Sequence, residues 1–336
     1  MEDKEKQLDV TINEDVEYGN TLLSSVVLVH NSMPELNFDE ITTEVNFFGK
    51  ILKLPVVISA ITGGFERGYK VMKDIFEVAK ECGIAVSLGS QKLMLEDEER
   101  KKFYPSDRDV FTIANIGAEE ILKYPIEDIG NLVYSLNANA LSIHLNPAQE
   151  LFYKGKANYR GVALRLQEIK RSFDFPVIVK ETGCGISKEC AKILYCAGVD
   201  CVDISGVGGT SWIIAQAKAS QKRYSPFLGW GIPTAASLIE IRRFSFKKIA
   251  SGGIRTGVDG AKCIALGADL FGFALPMLKS VVKGGVKEGI RYIEEIEREL
   301  RYTMFLTGSR DIYELKKVKF VLLGDLYNWA IQRANI

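Results

Sequence analysis

Residues 141–150 read LSIHLNPAQE, an apolar run that closes on His144, Asn146, Gln149 and Glu150. Pro147 cannot continue a central strand, so this polar group stands at a strand end. An imidazole there can relay a proton or bind an anion, neutral amides can orient a substrate, and a carboxylate is a hard ligand for a divalent cation. His144 is one of two histidines in 336 residues. Taken alone it is equally compatible with a hydrogen-bonded loop residue, so its meaning depends on what the other strand ends carry.

Eight short runs rich in β-branched residues recur along the chain, at 55–60, 84–89, 111–117, 140–146, 176–183, 199–206, 247–253 and 269–275. Amphipathic stretches such as MKDIFEVAKECG and KECAKILYCAG lie between them, each closed by a glycine where a helix C-cap needs one. Apolar strands alternating with helices indicate a parallel sheet buried on both faces, and eight units predict a closed (β/α)8 TIM barrel, ahead of an open doubly wound sheet. The expected division is a single domain, with a pre-barrel segment at 1–54, the barrel at 55–280 and a C-terminal helical segment at 281–336. The long connection 206–246 carries SGVGGTSW and FLGWGIPTA, and Trp212, Phe227 and Trp230 argue that it is ordered.

In such a barrel the site forms at the C-terminal ends of the strands. Those ends carry Thr62-Gly63-Gly64, Ser90-Gln91-Lys92, Asn115, His144-Asn146, Lys180-Glu181, Ser205-Gly206, Ser251-Gly252-Gly253 and Ala274-Leu275. SGGIRTG (251–257), with Arg255, follows strand seven, where backbone N–H groups and a helix start commonly bind phosphate. Lys180 ends an apolar strand, and an unpaired ammonium in a barrel mouth is costly. A reduced flavin, negatively charged near N1 and the C2 carbonyl, would offset that cost. A Schiff-base role, or pairing with Glu181 or Asp203, are the competing readings. Strand alternation puts Lys180 and Glu181 on opposite faces.

Composition narrows the partners. Forty-three basic residues balance 43 acidic ones, so no global field points to nucleic acid or an anionic membrane. The N-terminus MEDKEKQLDV has no apolar core of a signal peptide, and no apolar run reaches membrane-spanning length, which together predict a cytoplasmic protein. Cys184, Cys190, Cys196 and Cys201 cluster without C-x-x-C spacing, which favours packing over a metal site.

ITGG, SQK, ANIG, HLNPAQE, KETGCG, SGVGGTSW and ASGGIRTGVDGAKCIALGAD occur in the order found in type 2 isopentenyl diphosphate isomerases, which the chain resembles from about residue 25 to about 325. The resemblance implies an FMN-containing (β/α)8 barrel that uses Mg²⁺ and NAD(P)H as reductant to interconvert isopentenyl and dimethylallyl diphosphate without net redox change. It implies that Thr62, Gly63, Gly64, Ser90, Asn115, Lys180, Ser205 and Thr210 hold the flavin and ribityl parts. Gly253, Arg255, Ala274 and Leu275 would surround its phosphate. His144, Asn146 and Gln149 would face the substrate and do the catalytic work, with Lys6, Ser90 and Lys92 as further substrate contacts and Glu150 as the Mg²⁺ ligand. A homo-oligomer, tetramer or octamer, is implied as well.

The departures fall on the substrate side. Family members begin with Arg-Lys followed shortly by Glu-His, and the best local alignment places Glu5-Lys6 and Leu8-Asp9 there. Ser-Gln-Arg becomes Ser90-Gln91-Lys92, a point charge in place of a bidentate fork, and a family glutamate becomes Gln216. Three readings follow: a divergent isomerase, an FMN-dependent oxidoreductase paralogue with another substrate, and a non-catalytic flavoprotein. On the aligned positions, Glu5 should bring a negative charge towards the diphosphate and weaken its binding.

Overall fold

The computed structural model describes residues 2–220 and 225–334. Eight parallel strands close into a barrel in chain order: β1 (Val56–Ile58), β2 (Ala85–Ser87), β3 (Thr112–Gly117), β4 (Ala140–Leu145), β5 (Val177–Glu181), β6 (Cys201–Asp203), β7 (Lys247–Ser251) and β8 (Leu270–Phe273). The ring closes where Phe271 on β8 faces Val56 on β1. Every strand falls on one of the eight apolar runs read from the sequence. Their side chains are almost all buried because one face packs on surrounding helices and the other fills the barrel.

The two ends of the barrel are closed differently. At the N-terminal end Val57, Ala85, Ile113, Ala140, Ile178, Cys201, Ile249 and Leu270 meet Phe47 from a hairpin, Val45–Phe47 with Lys50–Leu52, forming a dry plug. At the C-terminal end the helix Glu2–Asn13 lies across the mouth, its Leu8 packing with Phe65, Ala215, Leu275 and Leu278. Ordinary helix signals set the outer layer: Gly83 (φ +64°) caps Glu66–Cys82, and Thr256 with Asp259 forms a capping box on Gly257–Ala265.

The flanking segments are joined to each other. Val26–Leu28 pairs antiparallel with Phe320–Leu322, far away in sequence. The last barrel strand runs into a helix, Leu275–Thr307, that continues past residue 280 and is broken by non-helical Gly284 and Gly285. In the connection after β6, the helix Trp212–Ser220 is ordered, while Phe227 and Trp230 pack on one another and stay largely exposed. Residues 221–224 of that connection lie outside the described residues. Among the described residues no helix is long and apolar enough to cross a membrane.

Candidate active site

A cavity of about 430 Å³ opens at the C-terminal ends of the strands beneath the N-terminal helix. Thr62, Gly63, Ser90, Lys92, Asn115, His144, Asn146, Gln149, Glu150, Lys180, Ser205, Thr210, Gly253, Arg255, Ala274 and Leu275 all line it. Residues from every loop of the barrel therefore reach one space, within the usual size range of a small-molecule site.

Two expected residues are not there. Gly64 (φ +85°) packs against Tyr104 and offers its carbonyl to Arg100, so it shapes the first loop from behind. Lys6 is exposed on the outer side of the N-terminal helix, as is Glu5, and neither lines the cavity. Helical phase is the reason: Lys4, Gln7, Leu8 and Thr11 share the inward face, which leaves Glu5, Lys6 and Asp9 outside. Asp9 pairs there with Arg67 at 2.6 Å. Of the N-terminal helix's cations, Lys4 rather than Lys6 lines the cavity. Burial, then neighbouring Lys92, lowers its pKa to about 8. Gln216 does not line the cavity either. It is buried and accepts a hydrogen bond from Gln7 at 3.1 Å, fastening the N-terminal helix to Trp212–Ser220.

At the base of the cavity Lys180 is paired with Asp203 at 3.2 Å, and Ser251 Oγ donates to Asp203 at 2.6 Å. Of the two carboxylates considered as its partner, Lys180 on β5 meets Asp203 on β6 and not Glu181. Glu181 turns away to accept the backbone N–H groups of Thr182, Gly183 and Cys184. Burial raises its pKa to about 7 against those three hydrogen bonds.

On β3 and β4, Asn115 Nδ2 donates to the Leu88 carbonyl at 3.1 Å, which turns Oδ1 towards His144 Nδ1, 3.0 Å away. An amide oxygen only accepts, so the ring carries its hydrogen on Nδ1 and keeps the Nε2 lone pair free of it. Burial, with Lys180 adding to it, lowers the His144 pKa to about 4, so the ring is neutral at pH 7. Asn146, at the start of the helix Pro147–Lys154, donates from Nδ2 to Gln149 Oε1 (3.3 Å) and Glu150 Oε1 (3.2 Å), and Tyr159 donates its hydroxyl hydrogen to Asn146 Oδ1 (3.2 Å). Asp203 was one of the partners considered for Lys180, whereas Tyr159 and Lys4 carried no sequence motif that singled them out as part of this site.

The residues present fit a flavin mononucleotide. Gly252 (φ +98°) and Gly253 (φ +73°) bend the backbone between strand β7 and Arg255, and a Cβ on Gly253 would sit 2.2 Å from the Gly208 carbonyl oxygen. Ala274 and Leu275 open the Leu275–Thr307 helix, whose first N–H groups suit a phosphate. Arg255, paired with Glu17 in this structure, stands beside them. Magnesium does not fit in the same way. Glu150 Oε1 accepts from Asn146 and the carboxylate pairs with the Lys154 ammonium, so an ion would share its protein ligand with a cation already in place.

Comparison with known proteins narrows this further. A family model described as FMN-dependent dehydrogenase matches residues 143–321, from β4 through the last barrel strand to Val321. An isopentenyl-diphosphate delta-isomerase from Sulfurisphaera tokodaii is 38% identical, with 98% of this chain and 94% of the relative aligned. The chain belongs to the isopentenyl-diphosphate delta-isomerase family. Another member, from Metallosphaera sedula, is 40% identical over 98% of this chain and 94% of its own length, and one from Pyrococcus abyssi is 40% identical over 93% and 89%. A crystal structure of mandelate oxidase shares the fold, with a TM-score of 0.67 at 16% identity over 94% of each chain. For this member of the isomerase family, FMN is the cofactor that family and cavity agree on.

Proposed function

We propose that the protein isomerises isopentenyl diphosphate to dimethylallyl diphosphate, with FMN reduced by NAD(P)H. The observation that carries this reading is the charge inside one cavity. Lys4, Lys92, Lys154, Lys180 and Arg255 line it against Glu96, Glu120 and Glu150, while His144 is neutral. Four of these cations are held by carboxylates, Lys92 by Glu120, Lys154 by Glu119 and Glu150, Lys180 by Asp203 and Arg255 by Glu17, and five cations turned to one cavity suit two anionic groups, the cofactor phosphate and a substrate diphosphate. Arg255 follows β7, whereas Lys92 follows β2 and Lys154 follows β4, so the cations form separate groups around the mouth.

Moving the double bond requires one proton delivered to carbon and another removed while the diphosphate is held still. Reduced FMN, when bound, supplies a ring nitrogen able to carry a proton, and the chain's own residues do the rest. Lys180 places a positive charge at the base of the cavity, where a reduced flavin is negative. Gln149, neutral and fixed through Asn146, orients the substrate without exchanging protons. His144 presents a lone pair at Nε2 that accepts a hydrogen bond or a proton as an anion arrives and raises its basicity. The helix Glu2–Asn13 covers the mouth and limits water. Mg²⁺, which the resemblance implies, finds no comparable fit, and no step is routed through it.

The test is to incubate the reduced, FMN-loaded protein with isopentenyl diphosphate, with and without Mg²⁺, and look for the dimethylallyl product. Product under either condition supports the reading. FMN loading without product moves the assignment to an oxidoreductase paralogue.

A further inference from the structure

We infer that the Lys154 ammonium takes the place of a divalent cation beside Glu150, so that this chain binds its diphosphate without added metal. The inference rests on the diphosphate reading above.

Lys154 is the last residue of the helix Pro147–Lys154, four positions after Glu150 and on the same side of it. Its ammonium pairs with the Glu150 carboxylate and with Glu119 Oε2 at 2.9 Å. Glu119 lies in the short helix Ala118–Ile121 in the connection after β3, and Glu150 in the helix of the connection after β4. One cation therefore joins two neighbouring loops at the rim of the cavity, bridging two carboxylates as a metal ion would. Burial works against the charge on Lys154, but hydrogen bonds to Glu150 and Glu119 outweigh it and push its pKa above the ordinary lysine value. The helix stops here, at Gly155 (φ +71°), and its C-terminal turn favours a positive charge at this position.

The geometry leaves little for Mg²⁺ to take. Magnesium needs oxygen lone pairs at about 2.0–2.1 Å in a near-octahedral shell, and it gives up its water reluctantly. Glu150 Oε1 accepts from Asn146 Nδ2, and the carboxylate is ion-paired with Lys154. An ion would have to displace an ammonium tethered to the same helix. That ammonium carries three N–H donors, two of which go to carboxylates, and Lys154 lines the cavity. The remaining donor is a direct ligand for a phosphate oxygen.

Binding of isopentenyl diphosphate to the oxidised, FMN-loaded protein, measured calorimetrically in EDTA and in excess Mg²⁺, tests this without relying on turnover. The wild type should bind in EDTA with a dissociation constant within about threefold of its Mg²⁺ value. Lys154→Gln should lose about tenfold or more in EDTA and recover in Mg²⁺, because the freed carboxylates then offer metal ligands. Lys154→Arg, which keeps the charge, should stay metal-insensitive. Failure of the wild type to bind in EDTA overturns the inference, and so does Lys154→Gln binding unchanged there. Should Lys154→Gln lose its FMN or unfold, the wild-type and Lys154→Arg titrations decide. Metal-free binding combined with no dimethylallyl product refutes the isomerase reading and leaves the cation role standing.

Discussion

Lys180→Met breaks the ion pair at the base of the barrel and leaves Asp203 with neutral donors, the Ser251 hydroxyl and the Ser205 backbone N–H. At 3.2 Å and an effective dielectric near 20, the lost attraction is about 5 kcal/mol. Both side chains are almost fully buried, so solvent does little to screen it. Removing one partner of such a pair typically costs about 3–5 kcal/mol, because the other charge is left without compensation. With a urea slope of about 3 kcal/mol per molar, the FMN-free protein at pH 7.5 should lose about 1 M or more from its unfolding midpoint. The penalty arises from the stranded carboxylate, so adding Asp203→Asn should restore most of the midpoint even though it removes a second native charge. A double variant no more stable than Lys180→Met would show that lost packing sets the cost, and the ion-pair argument would fall.

Three further outcomes follow from the site. The chain has two histidines, so His144 is resolvable by NMR beside exposed His30, and its ring should stay neutral until about pH 4; a midpoint near 6.5 would refute the buried, Asn115-bonded state. Because that folded pKa lies below the unfolded one, the stability it contributes is present above about pH 6.5 and lost as pH falls towards 4, and His144→Gln should remove this loss. In an active enzyme, Lys4→Met should raise KM for isopentenyl diphosphate about tenfold, while Glu5→Arg should leave it within about twofold; the reverse order would put Glu5 back at the substrate. Gly253→Ala, at φ +73° and facing the Gly208 carbonyl, should purify with little or no bound FMN, and full flavin occupancy would contradict the close approach described here.

The barrel was legible because its signal is redundant: eight apolar runs, each ending in small or functional residues, admit few architectures. Lys180 was legible for a local reason, since a cation at the end of an apolar strand needs a partner, and strand register then selected Asp203 over Glu181. The alignment of Glu5-Lys6 with a family motif carried no helical phase, which brings Lys4 inward with Gln7, Leu8 and Thr11 and leaves Lys6 off the cavity lining. Lys154 carried a readable cue, the Glu-Lys spacing of four, but its bridge to Glu119 joins loops 35 residues apart and needs the fold to be seen. Gly64 looked like its neighbour Gly63, and only the fold shows that Gly63 lines the cavity while Gly64 does not.

The pairing of Val26–Leu28 with Phe320–Leu322 has a consequence for synthesis in the cell. Nearly the whole chain lies between the two partners, so at a ribosomal rate of about 5–20 residues per second the first strand waits roughly 15–60 s for the second to be made. During that wait an apolar edge, with Val27 and Val29 remaining outward even in the finished protein, is open to other growing chains. Truncations that remove the last strand should therefore aggregate during expression even though every barrel strand is present.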